Sequence, residues 1–232
     1  IDAARRDADV VCCPSVDTMS DCVDAGFDED RLRVVPWGAE PHEVTEEDRE
    51  RVLGRYRLRP GYILWVGTVE PRKNLPTLLD AYRAAGDLGR DLVLVGPVGW
   101  KTQIDGHIEG VSQHVRHLGF VPAPDLPALY AEASMFCFPS LREGFGLPAL
   151  EAMALGTPVV VSAGGAIEEV VGSAGITIDP TDVDAWAEAI STLSADDERR
   201  SELADAGRER AAAYTWERSA AAMADVYHEV CG

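Results

Sequence analysis

Short runs of apolar residues alternate with longer amphipathic stretches along most of the chain. Several runs are continuous in valine, isoleucine and leucine, a pattern typical of strands that are buried on both faces of a parallel sheet. The runs predict strands over residues 9–13, 33–36, 62–66, 92–95, 115–118, 135–138, 159–162 and 176–178. The stretches between them predict helices over residues 16–25, 46–56, 75–85, 125–132, 148–155 and 167–171.

This alternation predicts an α/β fold with a Rossmann-like, doubly wound parallel sheet and right-handed crossovers. After residue 181 the pattern is helical and predicts a C-terminal tail with helices over residues 184–193, 197–213 and 215–230. Ligands in an open sheet of this kind bind beyond the carboxyl ends of the strands. Candidate functional residues are therefore expected in the segments that follow the predicted strands.

The net charge of the chain excludes some classes of binding partner. The 232 residues include 40 Asp and Glu against 21 Lys and Arg, which gives a net charge of −19. A chain this acidic lacks the basic footprint of a nucleic-acid-binding protein, and it would not itself dock on an anionic bilayer. Any phosphate that it binds must be held by a local cluster of cations. Lys73 and Lys101 are its only lysines.

Metal and cofactor signatures are absent from the sequence. The five histidines form no H-E-x-x-H or other tight metal-binding pattern, so we expect no metal and no cofactor. The odd number of cysteines without a C-x-x-C pair indicates reduced thiols and a cytoplasmic protein. The segment 96–102 only superficially suggests a phosphate-binding loop, because Trp100 stands where a glycine must precede the lysine. No G-x-G-x-x-G follows a predicted strand, which disfavours a dehydrogenase.

The strongest signal lies in residues 139–161, after a predicted strand. Gly144 and Gly146 allow the backbone to approach a ligand closely, and Pro148 suits the first turn of a helix. The pattern predicts a helix N-terminus at the carboxyl edge of the sheet, which is a ready site for an anion. Two carboxylates, Glu143 and Glu151, flank this site and are suited to bind hydroxyl groups of a sugar or a ribose.

A second signal follows the predicted strand at residues 62–66. Arg72 and Lys73 place two adjacent cations before a helix, and Asn74 is a candidate N-cap. In an acidic chain with two lysines, the presence of one of them at this position is informative. The simpler alternative is a solvated, charged helix entry.

The string from Glu143 to Val161 resembles, almost residue for residue, the E-x7-E region of a large family of retaining GT-B glycosyltransferases, usually called family 4. The resemblance implies that Glu143 holds hydroxyl groups of the transferred sugar and that Glu151 holds those of the ribose. It also implies that the loop between them contacts the donor through Gly144, Phe145, Gly146 and Leu147. The alternative is that Glu143 is a solvated loop acid and Glu151 a partner of the helix dipole.

The same resemblance implies a catalytic role for Lys73 and Arg72, which would neutralise the departing diphosphate, with Gly67 and Thr68 contacting the nucleotide. Many family members carry an arginine directly after the glycine, where this chain has Thr68. The E-P-R-K-N string is similar to that of a subfamily in which Arg72 would take over that task. The loop containing Phe120 and Val121 is expected to meet the base.

The resemblance divides the chain into three parts. Residues 1–37 resemble the end of the N-terminal, acceptor-binding domain, residues 38–213 the nucleotide-sugar-binding domain, and residues 214–232 a helix that crosses back to the first domain. Most of the acceptor-binding domain, with the family's glycine-rich loop and catalytic histidine, is therefore expected to be missing from the chain.

The implied activity is retaining transfer of a hexose from a nucleoside diphosphate sugar to a hydroxyl acceptor. The expected donor is GDP-mannose or a UDP-hexose, and the E-P-R-K-N string favours GDP-mannose. The expected acceptor is a glycan or a lipid-linked sugar bound by the missing domain, and membrane association through that domain is left open. Two alternatives are a non-catalytic nucleotide-sugar-binding module and a GT-B epimerase or phosphorylase.

Overall fold

The computed structural model describes residues 2–40, 43–99 and 113–232. The strands in these ranges form two parallel sheets. The small sheet pairs β1 (Val11–Cys13) with β2 (Leu32–Val34). The large sheet has the order β5-β4-β3-β6-β7-β8. Its strands are β3 (Tyr62–Val66), β4 (Leu92–Val95), β5 (Val115–Gly119), β6 (Ala133–Phe138), β7 (Val159–Ser162) and β8 (Ile176–Ile178).

The order of strands reverses between β3 and β6. From β3 the chain moves outward to β4 and β5, whereas β6 begins the other half of the sheet and leads to β7 and β8. All of these neighbours pair in parallel. The carboxyl ends of β3 and β6 therefore flank the crevice in which doubly wound sheets bind ligands. The predicted fold class, a Rossmann-like parallel sheet with a helical C-terminal tail, is confirmed.

The central strands are buried on both faces, as their continuous apolar runs predict. Ile63, Leu64 and Trp65 of β3 are fully buried, and so are Phe136 and Cys137 of β6. Because neighbouring side chains on a strand point to opposite faces, burial of consecutive residues requires cover on both sides of the sheet. This double burial fixes the positions at which the loops after β3 and β6 begin.

Helices flank the sheets and form the tail. Their bounds are α1 (Asp2–Asp7), α2 (Val16–Asp24), α3 (Glu46–Tyr56), α4 (Leu75–Ala84), α5 (Leu126–Ala131), α6 (Leu147–Ala154), α7 (Gly165–Val171), α8 (Val183–Ala195), α9 (Asp197–Ala211) and α10 (Trp216–Cys231). Most predicted boundaries agree within two residues, and α1 is not among the predicted helices. None of the helices in the described ranges is both long and apolar enough to span a lipid bilayer.

Asn74 corrects one prediction. It occupies the N-cap position of α4, but its side chain does not cap the helix and its backbone is left-handed, with φ of 51°. The Asn74 Nδ2 group instead donates a hydrogen bond of 2.6 Å to the carbonyl of Pro180. Thr77 Oγ1 donates to Asn74 Oδ1 over 3.0 Å. Asn74 therefore ties the loop after β3 to the segment after β8, a contact that local sequence does not reveal.

The last helix packs across the small sheet. Cys12 Sγ of β1 lies 4.0 Å from Met223 Sδ of α10, and Arg33 of β2 forms an ion pair with Glu229. The amide of Ala39 also donates to the carbonyl of Tyr214 over 3.1 Å. These contacts join the last helix to the start of the chain, and the three-part division at residues 37 and 213, with its crossover helix, stays a prediction.

Asp125 connects α3 to the segment before α5. Its carboxylate is buried and accepts hydrogen bonds from Arg51 and from Arg55, and the hydroxyl of Tyr56 donates to it over 2.8 Å. Burial alone would raise the pKa of Asp125, but the hydrogen bonds of Arg51 and Tyr56 outweigh burial and hold its pKa below the ordinary value. The ionised form of Asp125 is therefore favoured by folding.

We expect Asp125→Asn to lower the free energy of unfolding at neutral pH by about 1–3 kcal/mol, because charge-assisted hydrogen bonds are lost. The folded-state pKa of Asp125 is depressed, so this stabilisation is fully present above the pKa of the unfolded chain, about 3.9, and is lost as the pH falls through the folded-state pKa. Chemical denaturation should show the difference between the two proteins narrowing in acid.

The control is Asp205→Asn, which removes an exposed partner of Arg208 and should change the free energy of unfolding by no more than about 0.5 kcal/mol. A difference between Asp125→Asn and the unchanged protein that does not vary with pH would contradict the assigned role of the carboxylate.

Gly96 lets the loops after β3 and β4 approach each other. Its φ is +131°, and a Cβ atom at this position would lie 1.9 Å from the carbonyl oxygen of Gly67. The amide of Gly67 also donates a hydrogen bond of 2.9 Å to the carbonyl of Val95. The contact fixes the start of the segment that carries Arg72 and Lys73.

Gly96→Ala should destabilise the fold more than Gly86→Ala, which serves as its control. Gly86 also has a positive φ, +75°, but nothing lies within 4 Å of an added Cβ there. Left-handed strain of about 1–2 kcal/mol is common to both changes, whereas a clash costing about 1–3 kcal/mol more is confined to Gly96. Thermal and chemical unfolding measure the stability of both variants. Equal losses of stability would show that the close approach of residue 96 to Gly67 does not contribute to the effect.

Candidate functional site

Two loops meet at the switch point of the large sheet. One follows β3 and runs over residues 67–74, and the other follows β6 and runs over residues 139–146. The amide of Leu141 donates a hydrogen bond of 2.8 Å to the carbonyl of Arg72, which joins the two loops directly. Both predicted signals therefore belong to one place in the fold.

A cluster of charges lies between these loops. Lys73 Nζ donates to Glu143 Oε1 over 2.7 Å, and Arg72 Nη1 donates to Glu143 Oε2 over 2.8 Å. Arg72 also pairs with Glu70, over 2.7 Å. The structure thus brings together all three predicted catalytic residues. Sequence reasoning did not anticipate that the carboxylate would bind both cations.

Lys73 is the buried member of the cluster. It is 8% exposed, and its ammonium group lies 4.7 Å from the centre of the Phe138 ring, a cation–π contact. A buried ammonium group has a large desolvation cost unless it is paired, and Glu143 supplies the charge that offsets this cost. An ammonium group carries three N–H donors, so Lys73 can serve Glu143 and an anionic ligand together.

The N-terminus of α6 points out of the same edge. Gly146 stands at its N-cap with φ of 96°, and Pro148 lies in the first turn, as predicted. A Cβ atom on Gly146 would lie 3.0 Å from the side chain of Ile167, so the turn suits a glycine both in conformation and in space. The unpaired amides and the dipole of α6 favour a negative charge here.

The loop before α6 is anchored on several sides. Phe145 is buried, with its ring centre 5.7 Å from that of Trp37 and 5.8 Å from that of Tyr214. The carbonyl of Gly144 accepts hydrogen bonds of 2.8 Å from the hydroxyls of Ser15 and of Thr18. Phe145 therefore has a packing role, and only its backbone is placed to meet a ligand.

The contacts from α2 are functional candidates that the sequence did not reveal. The carboxylate of Glu169 accepts hydrogen bonds of 3.1 Å and 3.2 Å from the backbone amides of Val16 and Asp17, at the start of α2. Ser15 is recognisable as an N-cap, because its side chain accepts from the amide of Thr18. Nothing in the pattern indicates that Ser15 also reaches a residue 129 positions away.

Glu143 and Glu151 line different cavities. Glu143 borders one of about 340 Å³, together with Ser140, Arg142 and Gly164, and with Asp17 of α2. Glu151 borders another of about 190 Å³, whose walls also include Gly38, Glu40, Tyr130, Leu147 and Trp216. The two glutamates of the E-x7-E element are thus separated in space, so they can bind different parts of a ligand.

Tyr130 holds Glu151. Its hydroxyl donates to Glu151 Oε2 over 3.1 Å. Burial, with the nearby negative charge of Glu151, raises the pKa of Tyr130 well above its ordinary value, so the phenol stays protonated and remains a donor. Sequence reasoning did not single out Tyr130.

The remaining predicted site residues differ in their exposure to solvent. Val121 is 5% exposed and belongs to the core, whereas the Phe120 side chain is 76% exposed at the end of β5. Ala123 and Leu126, which follow this loop, line the Glu151 cavity. Thr68 is exposed on the loop after β3. Val121 can therefore offer a ligand only its backbone.

No group of three or more histidine, cysteine, aspartate or glutamate side chains suited to a metal occurs among the residues that the structure describes. The expectation that no metal is required stays a prediction. Trp100, Lys101 and Thr102, the end of the rejected phosphate-loop pattern, lie outside the described residues.

Comparison with known proteins places this site in context. The chain is similar to the O-antigen chain mannosyltransferase B of Escherichia coli, with 44% identity over 176 residues that cover 72% of this chain and 45% of that protein. It is also similar to the D-inositol 3-phosphate glycosyltransferase of Corynebacterium glutamicum strain R, with 31% identity over 243 residues that cover 96% of this chain and 57% of that protein. The chain thus spans about half the length of these curated relatives.

Solved structures share the fold. The structure of Anabaena HepE in complex with UDP-glucose matches with a TM-score of 0.89 at 22% identity, covering 99% of this chain and 66% of that one. The sucrose-phosphate synthase of Thermosynechococcus elongatus matches with a TM-score of 0.86 at 27% identity, covering 98% of this chain and 60% of that one. The expected GT-B fold is confirmed.

The family model described as Glycosyl transferases group 1 matches residues 48–210. This range contains the loops after β3 and β6, the charge cluster, the N-terminus of α6 and Glu151 itself. The chain therefore belongs to the Glycosyl transferases group 1 family.

Proposed function

We propose that this chain is the donor-binding part of a retaining, metal-independent hexosyltransferase of family 4. The observation that carries the proposal is the pairing of Lys73 and Arg72 with Glu143, beside the N-terminus of α6 at the switch point. Two cations and a positive helix end suit a diphosphate, and a carboxylate between them suits the sugar hydroxyls that the diphosphate carries.

In this proposal the donor lies across both cavities. Its sugar would sit at Glu143 and its ribose at Glu151, with the diphosphate against the first turn of α6 between them. The backbone of the loop 144–147 would meet the sugar and phosphates, and that of Gly67 and Thr68 the phosphates. The base would sit near Phe120 and Val121, because the segment that follows them lines the Glu151 cavity.

The proposed reaction is a transfer at the anomeric carbon. The acceptor hydroxyl oxygen bonds to that carbon, the bond from the carbon to the phosphate oxygen breaks, and the proton of the acceptor passes to the departing diphosphate. Lys73, Arg72 and the dipole of α6 would stabilise the negative charge that develops on the leaving group. The transferred sugar would keep its anomeric configuration. No nucleophile of this chain is needed in such a route.

The donor is proposed to be GDP-mannose. The E-P-R-K-N string of the loop after β3 favours it, and a mannosyltransferase of Escherichia coli is among the similar proteins, at 44% identity. A UDP-hexose is the second candidate donor; HepE, which shares the fold, was solved in complex with UDP-glucose.

The acceptor is proposed to be a glycan or a lipid-linked sugar, bound by a domain that this chain does not include. The names of the curated relatives are those of transferases, and they do not favour a non-catalytic module, an epimerase or a phosphorylase. A cytoplasmic site of action, and membrane association through the further domain, belong to the same proposal.

Lys73→Ala should weaken binding of a nucleoside diphosphate about 10-fold to 100-fold, because a charge-assisted hydrogen bond to the phosphates is lost. Binding of the nucleoside alone should not change. Calorimetric titration with GDP and guanosine, and with the corresponding uridine and adenosine pairs, measures both effects and names the base.

The control for Lys73→Ala is Arg199→Ala, which removes an exposed cation of α9 that pairs with Glu202 and should leave every affinity unchanged. Circular dichroism checks that Lys73→Ala remains folded. Equal losses for the nucleoside and its diphosphate would mean that Lys73 does not contact the phosphates.

Glu151→Ala should weaken binding of the same nucleoside diphosphate by about 1–3 kcal/mol, because hydrogen bonds to the ribose hydroxyls are lost. In Glu151→Ala, binding of the nucleoside and binding of its diphosphate should be weakened to the same extent, in contrast to Lys73→Ala. Glu202→Ala, on the exposed face of α9, is the matched control. Unchanged affinity in Glu151→Ala would remove Glu151 from the nucleotide site.

A further inference from the structure

The hydrogen bond between Tyr130 and Glu151 joins two neighbouring helices. Tyr130 belongs to α5 and Glu151 to α6, and the donor–acceptor distance is 3.1 Å. Tyr130 is 1% exposed, so its hydroxyl is cut off from bulk water. A buried hydroxyl without an acceptor is costly, and the carboxylate of Glu151 satisfies it.

Tyr130 is fixed at both ends. Its ring packs edge-on against Phe136, with ring centres 5.6 Å apart. Its backbone carbonyl accepts a hydrogen bond of 2.7 Å from the hydroxyl of Thr157. The phenol oxygen is therefore held at a defined position in the core, and it cannot follow Glu151 if that side chain turns away.

The side chain of Glu151 is half-buried and has many possible rotamers, and ordering it on a ligand costs conformational entropy. A hydrogen bond from a rigid, buried donor favours some of these rotamers in advance, so less of this cost falls on ligand binding. Glu151 lies on the wall of the 190 Å³ cavity together with Tyr130 and Leu147. The hydrogen bond from Tyr130 therefore contributes to the orientation of Glu151 that a ligand in this cavity meets.

We propose that Tyr130 is a positioning residue: by holding Glu151 in place, it sets how strongly the site prefers a ribose with both hydroxyl groups over one without them. The proposal rests on the proposed function, because it takes Glu151 to be the ribose-binding group. Tyr130 itself need not touch the ligand. Its effect is confined to the part of the affinity that depends on the ribose hydroxyls.

The test compares Tyr130→Phe with the unchanged chain, using GDP and 2′,3′-dideoxy-GDP, with the uridine pair in parallel. The unchanged chain should prefer the ribonucleotide by about 10-fold or more, as expected for lost hydrogen bonds to a charged group. In Tyr130→Phe this preference should fall to about 3-fold or less, while the affinity for the dideoxy compound stays within about 2-fold. Calorimetric titration measures all of these affinities.

Tyr62→Phe is the matched control. Tyr62 is also 1% exposed, and its hydroxyl donates over 2.7 Å to the carbonyl of Leu129, the residue before Tyr130. This substitution removes a buried hydrogen bond from the same neighbourhood without touching Glu151. Both variants should lose thermal stability, and only Tyr130→Phe should lose the preference for the ribose hydroxyls.

The outcomes separate two failures. If the unchanged chain prefers the ribonucleotide and Tyr130→Phe keeps that preference, Tyr130 is merely structural and the proposal is wrong, although the proposed function stands. If Tyr62→Phe loses the preference as well, the effect is one of general stability, and the proposal is again wrong. If the unchanged chain binds neither compound or does not distinguish them, the assignment of Glu151 to the ribose fails, and the role of Tyr130 falls with it.

Discussion

A buried ammonium group requires a negative partner, and in this chain the partner of Lys73 is Glu143. The two residues lie on loops that leave adjacent strands, β3 and β6, on either side of the point where the strand order reverses. Their ion pair, reinforced by the hydrogen bond from the Leu141 amide to the Arg72 carbonyl, holds these loops together. The edge of the sheet therefore keeps its cations, its carboxylate and the N-terminus of α6 within one site.

The same loop depends on elements outside the large sheet. The hydroxyls of Ser15, the N-cap of α2, and of Thr18 donate hydrogen bonds to the carbonyl of Gly144, next to Glu143. The Phe145 ring contacts both Trp37 and Tyr214. The geometry around Glu143 is thus coupled to the β-α-β unit at the start of the chain and to the lead-in of its last helix. These contacts link the position of the loop around Glu143 to that unit, because a close-packed ring cannot move independently of its neighbours.

Much of this could be predicted from the sequence, for identifiable reasons. Continuous apolar runs such as residues 62–66 predict buried parallel strands because both faces must be covered. The glycines before α6 and the proline in its first turn predict its N-terminus. The pairing of Lys73 with Glu143, 70 positions apart, could not be predicted, since each local pattern indicates only a charged loop. Asn74 shows the same limit: local propensity predicts a cap, but a carbonyl of Pro180 competes successfully for its side chain.

Separation of Glu143 and Glu151 into two cavities gives the E-x7-E spacing a physical meaning, because the lead-in to α6 and about one turn of the helix lie between the two carboxylates. The most direct test of a donor bridging them is amide chemical-shift mapping of the nitrogen-labelled chain during titration with GDP-mannose and UDP-glucose. The account predicts the largest shifts in the loops after β3 and β6 and in the first turn of α6. Shifts confined to the opposite edge of the sheet, around Gly61 and Asp91, would contradict it.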